Sequence, residues 1–192
     1  MPQPQLGRNN YTYEDYLTWP EEERWEIIDG VPHMMAPPSR IHQEILGELF
    51  TQIHNYLKGK PCRVYSSPFG VRLPVGNEKS DHEITNVVEP DIVVVCDQSK
   101  LDDQGCKGAP DLIIEIVSPA SVKNDLLKKF NLYEKAGVKE YWIVEPNGKI
   151  VTVFILGDNA QYGRQKVYSE DDEIQVNVLS DLKINLKPVF AY

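Results

Sequence analysis

The chain has 192 residues, of which 41% are hydrophobic and 26% charged, the proportions of an ordinary globular protein of one domain. Its 20 Lys and Arg against 29 Asp and Glu leave a formal charge of −9. That balance argues against broad nonspecific nucleic-acid binding, because phosphate affinity comes mainly from clustered cations. No apolar run is long enough to cross a bilayer, residues 1–10 hold no apolar targeting core, and the three cysteines are too scattered for a disulfide framework or a zinc site. A reduced, cytoplasmic protein is predicted.

In chain order, residues 1–10 are polar and proline-containing and predict a flexible arm, leaving 11–192 as one domain. Thr12 and Asp15 have the spacing of a capping box, which predicts a short helix to about Leu17, ended by Trp19-Pro20. Segments 24–29 and 31–35 flank Asp29-Gly30, a two-residue hairpin signal. Ser39 can cap a long helix to about Leu57, because Ile41, Ile45, Leu49, Ile53 and Leu57 recur every four residues on one face. Strands are predicted over 63–66, 69–73 and 87–95, with a polar loop over 74–86. A strand over 112–117 leads through Ser118-Pro119 to a helix over 121–136, with Gly137 where a left-handed cap belongs. A hairpin turns at Pro146-Asn147-Gly148 between 140–145 and 149–156, and extra strands follow over 161–168, 173–178 and 184–190. The order predicts an α/β fold: a mixed sheet flanked by helices, with additional C-terminal strands.

Two predicted strands carry acids where apolar residues belong. Asp91 shares a strand face with Val93 and Val95 under the period-two rule, and Glu115 is the one carboxylate in Leu112-Ile113-Ile114-Glu115-Ile116-Val117. A buried carboxylate is costly unless it is protonated, paired or bound to a metal. Two of them on consecutive strands suggest a shared cation, and a structural ion pair of Glu115 with Arg or Lys is the alternative. On the following helix, Val122, Leu126, Phe130, Tyr133 and Ala136 form an inward stripe that includes Lys129, whereas Lys128 points to water. Asp125 and Tyr133 lie one turn before and after Lys129. A lysine there needs an anion such as Glu115; otherwise it snorkels past the sheet edge.

These residues resemble a known pattern. Pro90-Asp91 followed by Glu115-Ile116-Val117 resembles the PD-(D/E)XK signature of restriction-endonuclease-like enzymes. The run GAPDLIIEIVSPAS, then Asp125, Lys129 and Tyr133 four residues apart, then AGVKEYWIVEP, is similar to the Uma-type family of restriction endonucleases. So are Trp25-Glu26-Ile27-Ile28-Asp29-Gly30 and His42 at the start of the next helix. Asp111, also preceded by proline, lies roughly 13 Å along the strand from Glu115, too far to share an ion readily. The chain departs from the superfamily signature at Val117, where a lysine is expected; Lys129 matches the position to which this branch has moved it.

The resemblance implies a restriction-endonuclease-like fold and a metal-dependent endonuclease that hydrolyses phosphodiester bonds of nucleic acid, with DNA the expected substrate. Asp91, Glu115 and the Ile116 carbonyl would hold Mg²⁺, or Mn²⁺ in its place, and Lys129 would orient the attacking water or neutralise developing charge. Glu26 best matches the acid that completes such a site, with Glu44 and His42 as competitors. Tyr133 would bond to the lysine or belong to the core. A catalytically silent nuclease-fold binding or regulatory module is the alternative, and a homodimer without membrane association is expected.

Overall fold

The computed structural model describes residues 4, 10–20, 22–117 and 123–192, with side chains of the last stretch from 126 onward. The arm expected over 1–10 lies almost wholly outside the described residues, as do the Ser118-Pro119 connection, Val122 and the Asp125 side chain.

At the start of the domain, Thr12 N donates to Asp15 Oδ2 at 3.0 Å and closes the expected capping box on α1 (Tyr13–Tyr16). Strands β1 (Trp25–Ile28) and β2 (Val31–Met34) pair antiparallel around Asp29 and Gly30, whose φ values of 50° and 73° are those of a type I′ turn. Ser39 Oγ accepts from His42 N at 3.2 Å and opens α2 (Arg40–Leu57), which buries Ile45, Leu49, Ile53 and Leu57. Next come β3 (Arg63–Ser66) and β4 (Val71–Arg72).

The strand expected over 87–95 is two strands in two sheets. β5 (Val87–Val88) pairs with β1 and β4, whereas β6 (Ile92–Val95) pairs with β3. Pro90 lies between them; it has no N–H to give a ladder and marks the crossing from one sheet to the other. The short β7 (Leu101–Asp102) and β8 (Gly105–Lys107) were not foreseen. Their turn needs glycine: Gly105 has φ 124°, and a Cβ there would lie 2.1 Å from the Gly70 carbonyl oxygen.

The apolar β9 (Leu112–Ile116) is followed by α3 (Lys123–Ala136), which ends at Gly137 with φ 87°, and by β10 (Glu140–Glu145). β10 lies parallel to β9, so α3 is the crossover that joins them. β11 (Ile150–Ile155) and β12 (Lys166–Ser169) extend that sheet. One six-stranded sheet runs β2-β1-β5-β4-β8-β7 and the other β12-β11-β10-β9-β6-β3. The mixed α/β architecture is as expected, but its strands divide between two sheets.

Alternation along the second sheet sorts its side chains. Ile92, Val94, Leu112, Ile114, Trp142 and Val144 meet α2 and the C-terminal segment. Val93, Val95, Ile113 and Tyr141 meet α3 and the first sheet. The C-terminal segment is a separate hairpin, β13 (Glu173–Gln175) with β14 (Lys183–Asn185), and then α4 (Leu186–Val189). The strand expected over 184–190 therefore stops early: Asn185 accepts from Lys187 N at 2.9 Å and caps a helical turn. Buried Glu140 fastens this segment, accepting from Trp142 Nε1 at 2.8 Å and from Val178 N at 2.9 Å.

The reading of three unpaired cysteines is corrected. Cys62 and Cys96 form a disulfide, and Cys106 is free and buried. Arg63 is registered with Val95, so the next pair along β3 and β6 is Cys62 with Cys96. Strand pairing brings together residues that are 34 apart in sequence. No helix among the described residues is long and apolar enough to cross a membrane.

Candidate active site

Glu115 is on the α3 face of β9, with Ile113 and opposite in direction to Ile114 and Ile116. The register of β6 with β9 pairs Ile92 with Ile114, so its continuation sets Asp91 opposite Glu115. Asp91 lies one residue before β6, where its Oδ2 accepts from Ile116 N at 2.7 Å. The third acid, Glu26, comes from β1 of the other sheet and accepts from Glu89 N at 2.9 Å. Three carboxylates distant in sequence thus line one cleft of about 420 Å³, with Lys129 from α3 and Ile116 beside them.

Lys129 joins two of the three. Its Nζ donates to Glu26 Oε1 at 2.9 Å and to Glu115 Oε1 at 3.0 Å, from a side chain only 12% exposed. Lys128 is exposed, as the helical stripe predicts. Tyr133, fully buried, donates its hydroxyl to Glu115 Oε1 at 2.6 Å. It bonds to the acid and not to the lysine, because the i+4 turn sets its ring over β9. Both donors use the same oxygen, and Glu115 Oε2 has no partner among the described residues.

Burial dominates the electrostatics of the cluster. It pushes the Glu115 carboxyl up to about 7; the Lys129 charge opposes that shift, while Asp91 and Glu26 add to it. Burial works against the Lys129 ammonium, but Glu115 and Glu26 outweigh it and hold the group above the usual lysine range. Burial, then the charge of Glu115, keeps the Tyr133 phenol well above its usual value, so it remains a donor.

The competitors separate cleanly. His42 Nε2 lies 3.1 Å from Asp91 Oδ1, and its Nδ1 is buried without a hydrogen-bond partner among the described residues. Glu44 pairs with Arg40 on the exposed face of α2 and takes no part in the cluster. Asp111 is bound by Cys96 N and Lys139, each at 2.7 Å, as a strand-start acid should be. Sequence reasoning missed Arg24, Ser67 and Glu89. Arg24 lines the cleft beside Ser67 and donates to Glu89 Oε2 at 2.8 Å. The signal was present in the alternation of Arg24 with Glu26 and in Glu89 within an apolar run.

Among the described residues, no three His, Cys, Asp or Glu side chains converge closely enough to enclose a metal by themselves. Two acids on neighbouring strands, one with an unshared oxygen, do suit a hard cation of the Mg²⁺ kind. Such an ion commonly takes one or two carboxylates and completes its shell with water and phosphate. The three acids also exceed the one lysine that serves them, which leaves negative charge for a cation to balance.

A solved structure shares this arrangement of elements. A crystal structure described as a putative nuclease belonging to DUF820, from Anabaena variabilis, superposes with a TM-score of 0.75 at 22% identity, covering 94% of this chain and 97% of that one. An uncharacterized protein of Synechocystis sp. is 26% identical over 152 residues, which are 78% of this chain and 76% of that protein. Residues 13–187 match the family Uma2, described as "Putative restriction endonuclease", and the chain belongs to that family.

Proposed function

We propose that the protein is a metal-dependent endonuclease that hydrolyses phosphodiester bonds of nucleic acid, with DNA as the substrate. The observation that carries the reading is the cleft in which Lys129 bridges Glu26 and Glu115 while Asp91 faces Glu115 from the next strand. Asp91, Glu115 and the Ile116 carbonyl are the groups that would hold Mg²⁺ or Mn²⁺. When bound there, the ion would lower the pKa of water and stabilise charge on phosphoryl oxygens.

The protein's own residues supply the rest. Tyr133 and Lys129 fix Glu115 through one oxygen and leave the other without a partner among the described residues. His42 and the Ile116 amide fix Asp91. Lys129 places a positive charge at the cleft floor, where negative charge would develop on the phosphoryl group. Glu26 keeps that ammonium charged and aimed. The net charge of −9 favours the second reading, a nuclease-fold binding module without catalysis.

Plasmid nicking separates the two readings. Mg²⁺ or Mn²⁺ should be required, and Asp91→Asn should abolish cutting. Nicking that persists in that variant, or in chelator, contradicts the assignment of the centre. Wild-type protein that binds DNA or RNA but cuts neither supports the silent module.

A further inference from the structure

Two permanently charged cations line the cleft among the described residues, Lys129 and Arg24. Lys129 is shared between two carboxylates. Arg24 is held along one edge only. Its Nε and Nη2 donate to Glu89 Oε2 at 3.0 and 2.8 Å, and Nη2 also reaches Ser67 Oγ. Nη1 has no partner among the described residues, and the side chain is 33% exposed.

The anchors of this guanidinium are themselves tied to the catalytic acids. Glu89 accepts from the Tyr16 hydroxyl at 3.0 Å, and its own amide donates to Glu26 Oε1 at 2.9 Å. Ser67 N donates to the Asp91 carbonyl at 3.0 Å. Arg24, one residue before β1, and Glu26 within it are two residues apart, so continued alternation turns both toward the same side. The result is a planar guanidinium pinned through Nε and Nη2, with Nη1 left unpartnered among the described residues on a side chain that lines the cleft, a donor suited to a phosphate oxygen. The surrounding floor holds more acids than cations, so an anionic substrate needs a donor that is not already shared.

We propose that Arg24 is a substrate-binding residue whose free Nη1 edge takes a non-bridging oxygen of the phosphodiester at the reacting bond. The proposal rests on the reading of the cleft as a phosphodiesterase centre. The competing account is that Arg24 only braces Glu89 and α1.

A double-mutant cycle with the substrate decides between them. The linkage that wild-type protein cuts in an oligonucleotide is first mapped in Mg²⁺. Binding is then measured in Ca²⁺ for that oligonucleotide and for one with an uncharged methylphosphonate at the same linkage, using wild type, Arg24→Gln and Arg24→Lys. Arg24→Gln should weaken binding of the natural oligonucleotide roughly ten- to a hundred-fold, the factor supplied by a hydrogen bond to a charged group. It should cost almost nothing with the methylphosphonate. Arg24→Lys should recover part of the loss, with the natural linkage only. A loss of the same factor with both oligonucleotides means that Arg24 acts through the fold, and overturns the proposal while cleavage by wild type stands. If wild type cuts no DNA or RNA, the nuclease reading falls first and this proposal falls with it.

Discussion

Replacing Lys129 by alanine tests the centre most directly, because the structure sets both the size and the pH dependence of the effect. Lys129 is the shared partner of Glu26 and Glu115, and removing one member of a buried pair costs about 3–5 kcal/mol when the other must stay charged. Glu115 has an escape. Its carboxyl lies at about 7 in the folded protein, above the ordinary 4.5, so its contribution to stability is full below about 4.5 and is lost as pH rises through 7. At pH 5.5 it is largely protonated even in the wild type, so the loss of Lys129 leaves the buried Glu26 carboxylate without its cation and should cost about 3 kcal/mol, the lower end of the range for a broken buried pair. At pH 8 both acids lose their cation, and the cost should rise to about 4–5 kcal/mol, the upper end of that range. Urea denaturation of Lys129→Ala and Lys128→Ala at both pH values, with and without Mg²⁺, reads these differences. Cleavage by Lys129→Ala should fall ~10²–10³-fold, as for loss of one electrostatic stabiliser at a hydrolytic centre. Lys128→Ala should stay within about 0.5 kcal/mol of wild type and keep its activity. Equal losses in the two variants, or a Lys129→Ala penalty that does not grow with pH, would refute the reasoning.

Mg²⁺ should raise the melting temperature more at pH 8 than at pH 5.5, since a metal competes with the proton for Glu115; an equal shift at both pH values removes that carboxylate from the ion's ligands. Tyr133→Phe should destabilise by about 1–2 kcal/mol and move the activity profile toward higher pH, because the lost 2.6 Å bond favours ionised Glu115. An unmoved profile would leave Tyr133 as core packing alone. In denaturant without reductant one thiol per chain should react with a thiol reagent, and Cys62→Ser should cost about 4 kcal/mol, given a closed loop of 34 residues. Three reactive thiols would rule out the bridge.

What the sequence determined by itself was whatever depends on neighbours in the chain. The Asp29-Gly30 turn, the Ser39 cap, the four-residue stripe of α2 and the contrast of Lys128 with Lys129 all follow from local backbone and helical geometry, and all stand. The acids Asp91 and Glu115 stood out for the same reason, as charges within short apolar runs. What only the tertiary structure decided was which distant groups meet. Resemblance alone put Glu26 ahead of Glu44, and the physical ground for that choice is tertiary: β1 brings Glu26 to Lys129, whereas Glu44 turns to Arg40. The partition of 87–95 between two sheets hinged on Pro90 and on pairing with strands far away. Cys62 and Cys96 looked scattered because their register is set by β3 against β6 and not by their spacing in the chain. The Tyr133 hydroxyl, placed beside the lysine by periodicity, was drawn to Glu115 because a buried carboxylate needs donors, and where that carboxylate sits is a property of the packed sheet.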